Sequence, residues 1–211
     1  QHGHGGSVPA VPCRAVTRIL LVRHGQSTWN EAGLWQGQAD PPLTELGRRQ
    51  ASLAAMAVGT VDVVCASTLG RARETAQIIA DAIGVGPVLE LAGMVERDAG
   101  EWSGRTRAEI EHHYPGYLAD GRRPPGWEPD EQLSARVLGT LDALAARFAD
   151  ADILCVTHGG VVMHVEEQLE QFGLQCLCMP APPASSSRKA SLVGVSERES
   201  AITDRRHKRA K

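Results

Sequence analysis

The sequence predicts an α/β fold, a three-layer sandwich whose central sheet is mostly parallel and carries helices on both faces. Three observations lead there. Short apolar-rich runs recur at 19–22, 61–65 and 153–156, as strands buried on both faces require. Longer stretches with apolar residues at helical spacing separate them. The 211 residues, 42% hydrophobic and 22% charged, suit one globular domain that holds its core without disulfide or metal staples.

The elements are taken in chain order. Residues 1–16 are rich in Gly, His and Pro, show no apolar period and read as a flexible leader; His2 and His4 are expected to belong to that leader rather than to a metal site. Order is expected from Thr17, with Ile19, Leu20, Leu21 and Val22 as the first strand. Residues 43–57 read as a helix, with Thr44 as N-cap and Leu46, Leu53 and Met56 on its apolar face. A strand at 61–65 and a helix at 69–83 come next, the helix ended by Gly84. Residues 87–91 form a third short strand, 107–113 a helix stopped by Pro115, and 121–130 a Pro- and Gly-bearing loop. A long amphipathic helix covers 132–148, a buried strand 153–156 and a further helix 161–171. The Pro-, Ser- and Ala-rich 179–189 reads as a loop and 191–195 as a last strand. One domain over 17–196 with a basic tail over 197–211 is the expected organisation.

Charge and cysteine usage exclude other classes. A net charge of −3 argues against a nucleic-acid binder, and the basic run at 204–211, without interleaved aromatic residues, reads as a solvated tail. The apolar stretch 51–61 is too short to span a bilayer, so no membrane partner is expected. The amino terminus lacks a charged region followed by an apolar one, so it does not look secretory. The five cysteines (Cys13, Cys65, Cys155, Cys176, Cys178) are odd in number, and Cys65 and Cys155 end apolar runs; the expectation is reduced, buried thiols and a cytoplasmic protein.

Chemistry-bearing residues cluster where strands end. In an open α/β sheet ligands bind beyond the carboxyl ends of the strands. There the sequence places Arg23-His24-Gly25, with Asn30 shortly after, and Thr157-His158-Gly159-Gly160. An Arg offers a planar fork of donors to phosphate, and a neutral His is a nucleophile. Nearby cations disfavour imidazolium, so an Arg-rich pocket keeps His24 neutral. Arg71 stands in the first turn of the helix after the second strand, a position that favours anions, whereas Arg73 reads as a surface residue. In Glu96-Arg97-Asp98-Ala99-Gly100-Glu101-Trp102 three carboxylates compete for general acid–base work, and spacing does not choose among them. The tryptophans Trp29, Trp35, Trp102 and Trp127 fall in loops: Trp29 and Trp102 read as packing within the motifs, Trp35 and Trp127 equally as packing or as pocket lining. Arg97, Arg105 and His164 read as solvated surface residues.

These motifs, in this order over about 17–170, resemble the histidine phosphatase superfamily, also called phosphoglycerate-mutase-like. The resemblance implies that His24 is transiently phosphorylated and that Glu96, four residues before Gly100, is the proton donor. It implies a phosphate pocket of Arg23, Asn30, Arg71, His158 and Gly159, with Asp98 and Glu101 in supporting or surface roles. It further implies a metal-independent phosphomonoester hydrolase that needs no cofactor. The expected partner is a small-molecule phosphate monoester, a phosphorylated sugar or glycerate-type metabolite, acted on by a monomer or homodimer. The Gly-Glu-Trp-Ser-Gly run and the short stretch 105–157 look like the phosphatase branch. A cofactor-dependent phosphoglycerate mutase and a non-catalytic phosphate-binding module are the alternatives. Two segments depart from the family pattern: 125–129 lacks the Ser of a Gly-Glu-Ser run, and the chain after Glu170 does not match, leaving 191–195 to close the sheet.

Overall fold

A computed structural model describes residues 17–171, 177–179 and 190–195. The expected leader 1–16, the expected loop 179–189 apart from Met179, which ends a strand, and the expected tail 197–211 lie outside the described residues. Strand β1 (Thr17–Arg23) leads into a single helical turn, α1 (Thr28–Glu31). Helix α2 (Glu45–Val58), strand β2 (Val63–Ser67) and helix α3 (Gly70–Ile83) come after it. Next come the short strand β3 (Leu89–Leu91), two 3₁₀ turns (Ala92–Met94 and Gly100–Trp102), α4 (Arg107–His113) and α5 (Asp130–Arg147). Strand β4 (Asp152–Thr157), helix α6 (Gly159–Gln171), and strands β5 (Leu177–Met179) and β6 (Ala190–Val195) complete the order.

The sheet runs β3-β2-β4-β1-β6-β5. β3, β2, β4 and β1 are parallel, and β6 pairs antiparallel with β1 from Thr17↔Val195 to Leu21↔Ser191. The expected last strand therefore covers the far edge of β1, and β5, which sequence periodicity does not reveal, pairs antiparallel beyond it. An edge strand left bare is a template for mispairing, so this closure matters.

Strand alternation divides the core between two helical layers. Ile19, Leu21, Cys65, Ile153 and Cys155 face α5 and α6, meeting Leu133, Val137, Leu141, Leu144, Val161 and Val165. Val22, Val64, Ala66, Leu154 and Val156 face the other way, onto Ala55 of α2 and Ala72, Ala76, Ile79 and Ala80 of α3. Cys65 and Cys155 are buried register partners on adjacent strands and carry free thiols. No described helix is long and apolar enough to cross a membrane.

Helix α2 departs from expectation. Leu46, Leu53 and Met56 are 40%, 50% and 77% exposed, and the buried face consists of Gly47, Ala51 and Ala55. The reason is a close approach. A Cβ on Gly25 would stand 2.3 Å from the Gly47 carbonyl oxygen, and one on Gly47 would stand 2.1 Å from that of Gln26. The chain just after His24 lies on the helix backbone, so only glycine fits at position 47, and Ala55 packs in the layer with the alanines of α3. Thr44 still caps the helix, its hydroxyl accepting from the Gly47 N–H at 3.0 Å.

Candidate active site

The carboxyl ends of three neighbouring strands bring the site together. Arg23 at the end of β1 pairs in register with Thr157 at the end of β4, and the His24 N–H donates to the Thr157 carbonyl at 2.9 Å. The β2–β4 pairing places Ser67, the last residue of β2, beside the start of the His158 loop. The two histidine motifs thus extend from adjacent strands. Their rings meet edge to face with centroids 5.1 Å apart.

His24 is buried, and its two ring nitrogens have distinct partners. Nδ1 lies 2.6 Å from the Gly25 carbonyl oxygen, which can only accept, so Nδ1 carries the proton. Nε2 therefore presents its lone pair, and it accepts from the Arg71 Nε–H at 3.1 Å. Burial, then the charges of Arg71 and Arg23, lower the His24 pKa from 6.5 to about 3. The imidazole is a neutral base with a single aimed nitrogen. The backbone around it is fixed as well, since the Gly25 N–H donates to Thr75 Oγ1 at 3.1 Å.

Arg71 is wholly buried at the start of α3. Besides His24 it donates to the carbonyls of Ala39 (2.5 Å) and Gly37 (3.0 Å). Asp40 lies 3.6 Å from its guanidinium and also accepts from the Gly70 N–H at 2.8 Å. The helix N-terminus that the sequence offers to an anion is thus taken by Asp40, and it is the Arg71 side chain that reaches His24. Arg73, by contrast, is an exposed residue facing Glu90 at 3.3 Å.

The other residues expected in the pocket are placed as follows. The Arg23 guanidinium lies along Gly159, where a Cβ would come within 3.5 Å of its Nε. His158 is fully buried, with Nε2 2.7 Å from Ser67 Oγ. Its Nδ1 is one of two buried side-chain atoms among the described residues that lack a hydrogen-bond partner; the other is Trp102 Nε1. Burial above all, then His24 and the arginines, hold its pKa well below the ordinary range. Asn30 belongs to the α1 capping box: its Oδ1 accepts from the Ser27 N–H at 3.1 Å, and Ser27 Oγ donates to Gln36 Oε1 at 2.9 Å. That network ties Asn30 to the 36–39 segment that grips Arg71.

Of the three competing carboxylates, the structure brings Glu96 to the strand ends. Its Oε2 accepts from the Gly160 N–H at 3.1 Å and its Oε1 from the Arg97 N–H at 2.9 Å. A Cβ on Gly160 would come within 2.5 Å of Oε1, so glycine there makes room for the carboxylate at the start of α6. Asp98 is exposed and accepts from the Gly100 N–H, and Glu101 is exposed beside the Tyr114 hydroxyl. Among the described residues no cluster of three or more His, Cys, Asp or Glu side chains is placed to hold a metal ion.

Other residues fall differently from expectation. His164 is buried, not solvated, with Nε2 2.6 Å from Ser134 Oγ between α6 and α5. Arg97 is mostly covered, donating to Asp130 at 2.5 Å and to the Glu128 carbonyl at 2.9 Å. Trp102 is fully buried at the centre of a small cluster with Trp35, Trp127 and Tyr114. Trp35 and Trp127 thus pack on Trp102, with Arg97 and Arg123 over the Trp127 ring. Sequence reasoning misses Ser67, which holds His158, the Gly37 and Ala39 carbonyls that hold Arg71, and Arg136, which grips the backbone of Glu96. The only sequence signal for Ser67 is its place at the end of an apolar run.

The buried histidines set a pH dependence of stability. As pH falls through about 6.5 the unfolded chain protonates His24, whereas the folded protein resists until about 3. The unfolded state then binds more protons, so stability falls with falling pH in that window. At about 1.36 kcal/mol per unit, His24 alone accounts for about 2 kcal/mol between pH 6.5 and about pH 5. Urea unfolding at pH 7.5 and 5 is expected to show the loss, and His24→Asn is expected to reduce it by that amount.

The strand ends thus hold a neutral histidine beside a buried arginine, and a carboxylate that rests on the start of α6, so a base and donors for an anion stand at one edge of the sheet. The chain belongs to the histidine phosphatase superfamily (branch 1), whose family model matches residues 19–188, and it is an enzyme of the histidine phosphatase type. Among its relatives is a metal-independent phosphoserine phosphatase of Arabidopsis thaliana, 35% identical over 166 residues, covering 74% of this chain and 70% of that protein. A probable phosphoglycerate mutase of Yersinia pestis is 35% identical over 150 residues, covering 67% of this chain and 69% of the relative. The structure of a mycobacterial glucosyl-3-phosphoglycerate phosphatase complexed with VO3 superposes with a TM-score of 0.70 at 28% identity, covering 85% of this chain and 90% of that one.

Proposed function

We propose that the protein hydrolyses small phosphate monoesters without a metal, through a phosphohistidine on His24 Nε2. The observation that carries this is the His24 ring itself: proton on Nδ1, lone pair on Nε2, and Arg71 at that nitrogen. In the first step Nε2 attacks phosphorus in line, the P–N bond forms and the P–O ester bond breaks. Glu96 gives its proton to the leaving oxygen. In the second step Glu96 takes a proton from water as that water attacks the phosphohistidine. The P–N bond breaks, its electron pair returns to Nε2, and inorganic phosphate leaves. Arg23, Arg71, the His158 Nδ1 atom, the Asn30 amide and the Gly159 backbone hold the phosphoryl oxygens. Phosphoryl transfer depends almost entirely on such positioning and charge. Two arginines supply the positive charge that a metal provides elsewhere, which is the physical basis for metal independence.

We assign the substrate to the phosphorylated sugar or glycerate class. The neighbour named for glucosyl-3-phosphoglycerate supports this class, and the relative named for phosphoserine supports a small alkyl monoester more broadly. The deciding experiment is phosphate release from phosphoserine, 3-phosphoglycerate, sugar phosphates and an aryl phosphate, with EDTA present. Turnover undiminished by EDTA, with preference for an alkyl ester, is expected. Preference for the aryl phosphate alone sinks the substrate assignment, and activity lost to EDTA sinks metal independence. The mutase relative gives a second reading some weight. Isomerisation of 3-phosphoglycerate when 2,3-bisphosphoglycerate is supplied, without phosphate release, establishes it instead.

A further inference from the structure

Glu96 stands in a stretch without regular structure, between the 3₁₀ turns at Ala92–Met94 and Gly100–Trp102. Such a segment does not by itself hold a carboxylate to within the fraction of an ångström that proton transfer needs. Something else has to fix it.

Arg136, on α5, meets this need. Its NH1 group donates to the carbonyls of Gly93 (2.8 Å) and Val95 (2.7 Å), and its NH2 group to that of Glu96 (3.1 Å). Its Nε and NH2 also donate to Glu128 Oε1 and Oε2, at 2.6 and 2.8 Å. All five N–H donors of the guanidinium are thereby used, three on the backbone leading into Glu96 and two in a fork on one carboxylate. Glu128 is anchored in turn: its N–H donates to the Asp98 carbonyl at 3.1 Å, and its Oε2 accepts from the Asp98 N–H at 3.3 Å. Gly93 lets the segment close on α5, since a Cβ there would stand 2.8 Å from the Arg136 carbonyl oxygen. The segment is gripped on both sides of Glu96, and the side chain is left to rest on the Gly160 N–H.

We propose that Arg136, oriented by Glu128, is a positioning residue for the proton donor, holding residues 93–96 so that the Glu96 carboxylate stays on the Gly160 N–H. This rests on Glu96 being the acid proposed above. A planar five-donor fork is required, so Lys cannot replace it: one nitrogen cannot serve three carbonyls and a carboxylate.

The test compares kcat/KM, which reports P–O cleavage, for an alkyl ester and for p-nitrophenyl phosphate, whose leaving group departs without a proton. Arg136→Lys is expected to lose about 10- to 100-fold on the alkyl ester, the scale known for residues that orient the ligands of a metal, and less than about 3-fold on the aryl ester. Glu96→Gln is expected to lose about 10²–10⁴-fold with the same selectivity. In the Glu96→Gln background, Arg136→Lys is expected to add nothing. Glu128→Gln keeps the side-chain shape and is expected to show the ester-selective loss even if Arg136→Lys does not fold. Equal losses on both esters in Arg136→Lys or Glu128→Gln, or an undiminished Arg136→Lys effect in the Glu96→Gln background, mark a general structural role and overturn the proposal. If Glu96→Gln itself shows no ester selectivity, the acid has been misassigned, and the positioning role falls with it for that separate reason.

Discussion

His24→Ala is expected to abolish turnover, with kcat falling by about 10⁶-fold, the scale seen when a covalent nucleophile is removed from an enzyme whose binding groups remain. Phosphate-monoester hydrolysis is among the slowest uncatalysed reactions, and enzymes accelerate it by up to about 10²¹-fold. Most of that acceleration comes from placing a nucleophile in line inside a charged pocket. The geometry leaves one nitrogen to do this. His24 Nε2 carries the lone pair, because Nδ1 is committed to the Gly25 carbonyl. The neighbouring His158 turns its Nε2 to Ser67 instead, so it is not an equivalent substitute. The site around it survives the change: Arg71 and His158 are held by other groups as well. His24→Ala is therefore expected to bind inorganic phosphate within about tenfold of wild type while releasing none from substrate. Trapping radiolabelled phosphoryl group on wild-type protein, and none on His24→Ala, is the direct measurement. Residual turnover above about one part in 10³ in the variant means the nucleophile lies elsewhere.

The strands and the two histidine motifs are legible because their signals are local. A run such as Ile19–Leu20–Leu21–Val22 has no place except between two helical layers, and the residues just after it must emerge at the sheet edge. The packing of α2 is not legible. Hydrophobic patterning favours Leu46, Leu53 and Met56, but the chain after His24 admits only glycine at position 47, and Ala55 packs in the layer formed with the alanines of α3. The steric limit is set by another part of the molecule, and no local pattern encodes it. The acid poses the same problem. Glu96, Asp98 and Glu101 are equivalent along the chain, and what sets Glu96 apart is its hydrogen bond from the Gly160 N–H, 64 residues away. Ser67 and Arg136 are silent for the same reason, since their partners lie 91 and 40–43 residues distant. His164 misleads because a polar residue on an amphipathic helix looks solvated until a facing helix offers Ser134.

Arg71→Met is expected to lower kcat/KM by about 10³–10⁵-fold, the range for an arginine that stabilises phosphoryl-transfer charge. In the free protein the Arg71 Nε–H occupies the Nε2 lone pair of His24. A bound phosphoryl group competes for that donor. On the proposed mechanism, accepting from Arg71 releases the lone pair for attack, so one side chain would both guard the nucleophile and receive the developing charge. Methionine removes the charge and the donor while filling similar space. It also leaves the Gly37 and Ala39 carbonyls without their donor, at a cost of about 1–3 kcal/mol each. Stability and catalysis must therefore be read separately, by urea unfolding and by kcat/KM of the folded protein. Arg71→Lys divides the two roles. It keeps the charge but cannot span two carbonyls and a ring nitrogen, and it is expected to recover only part of the loss. The inhibition constant for inorganic phosphate should rise with the loss of kcat/KM in both variants, because product and transition state share these oxygens. Should both variants unfold more easily yet keep kcat/KM within about tenfold of wild type, Arg71 merely braces the 37–40 loop, and the charge at the phosphoryl group must come from Arg23.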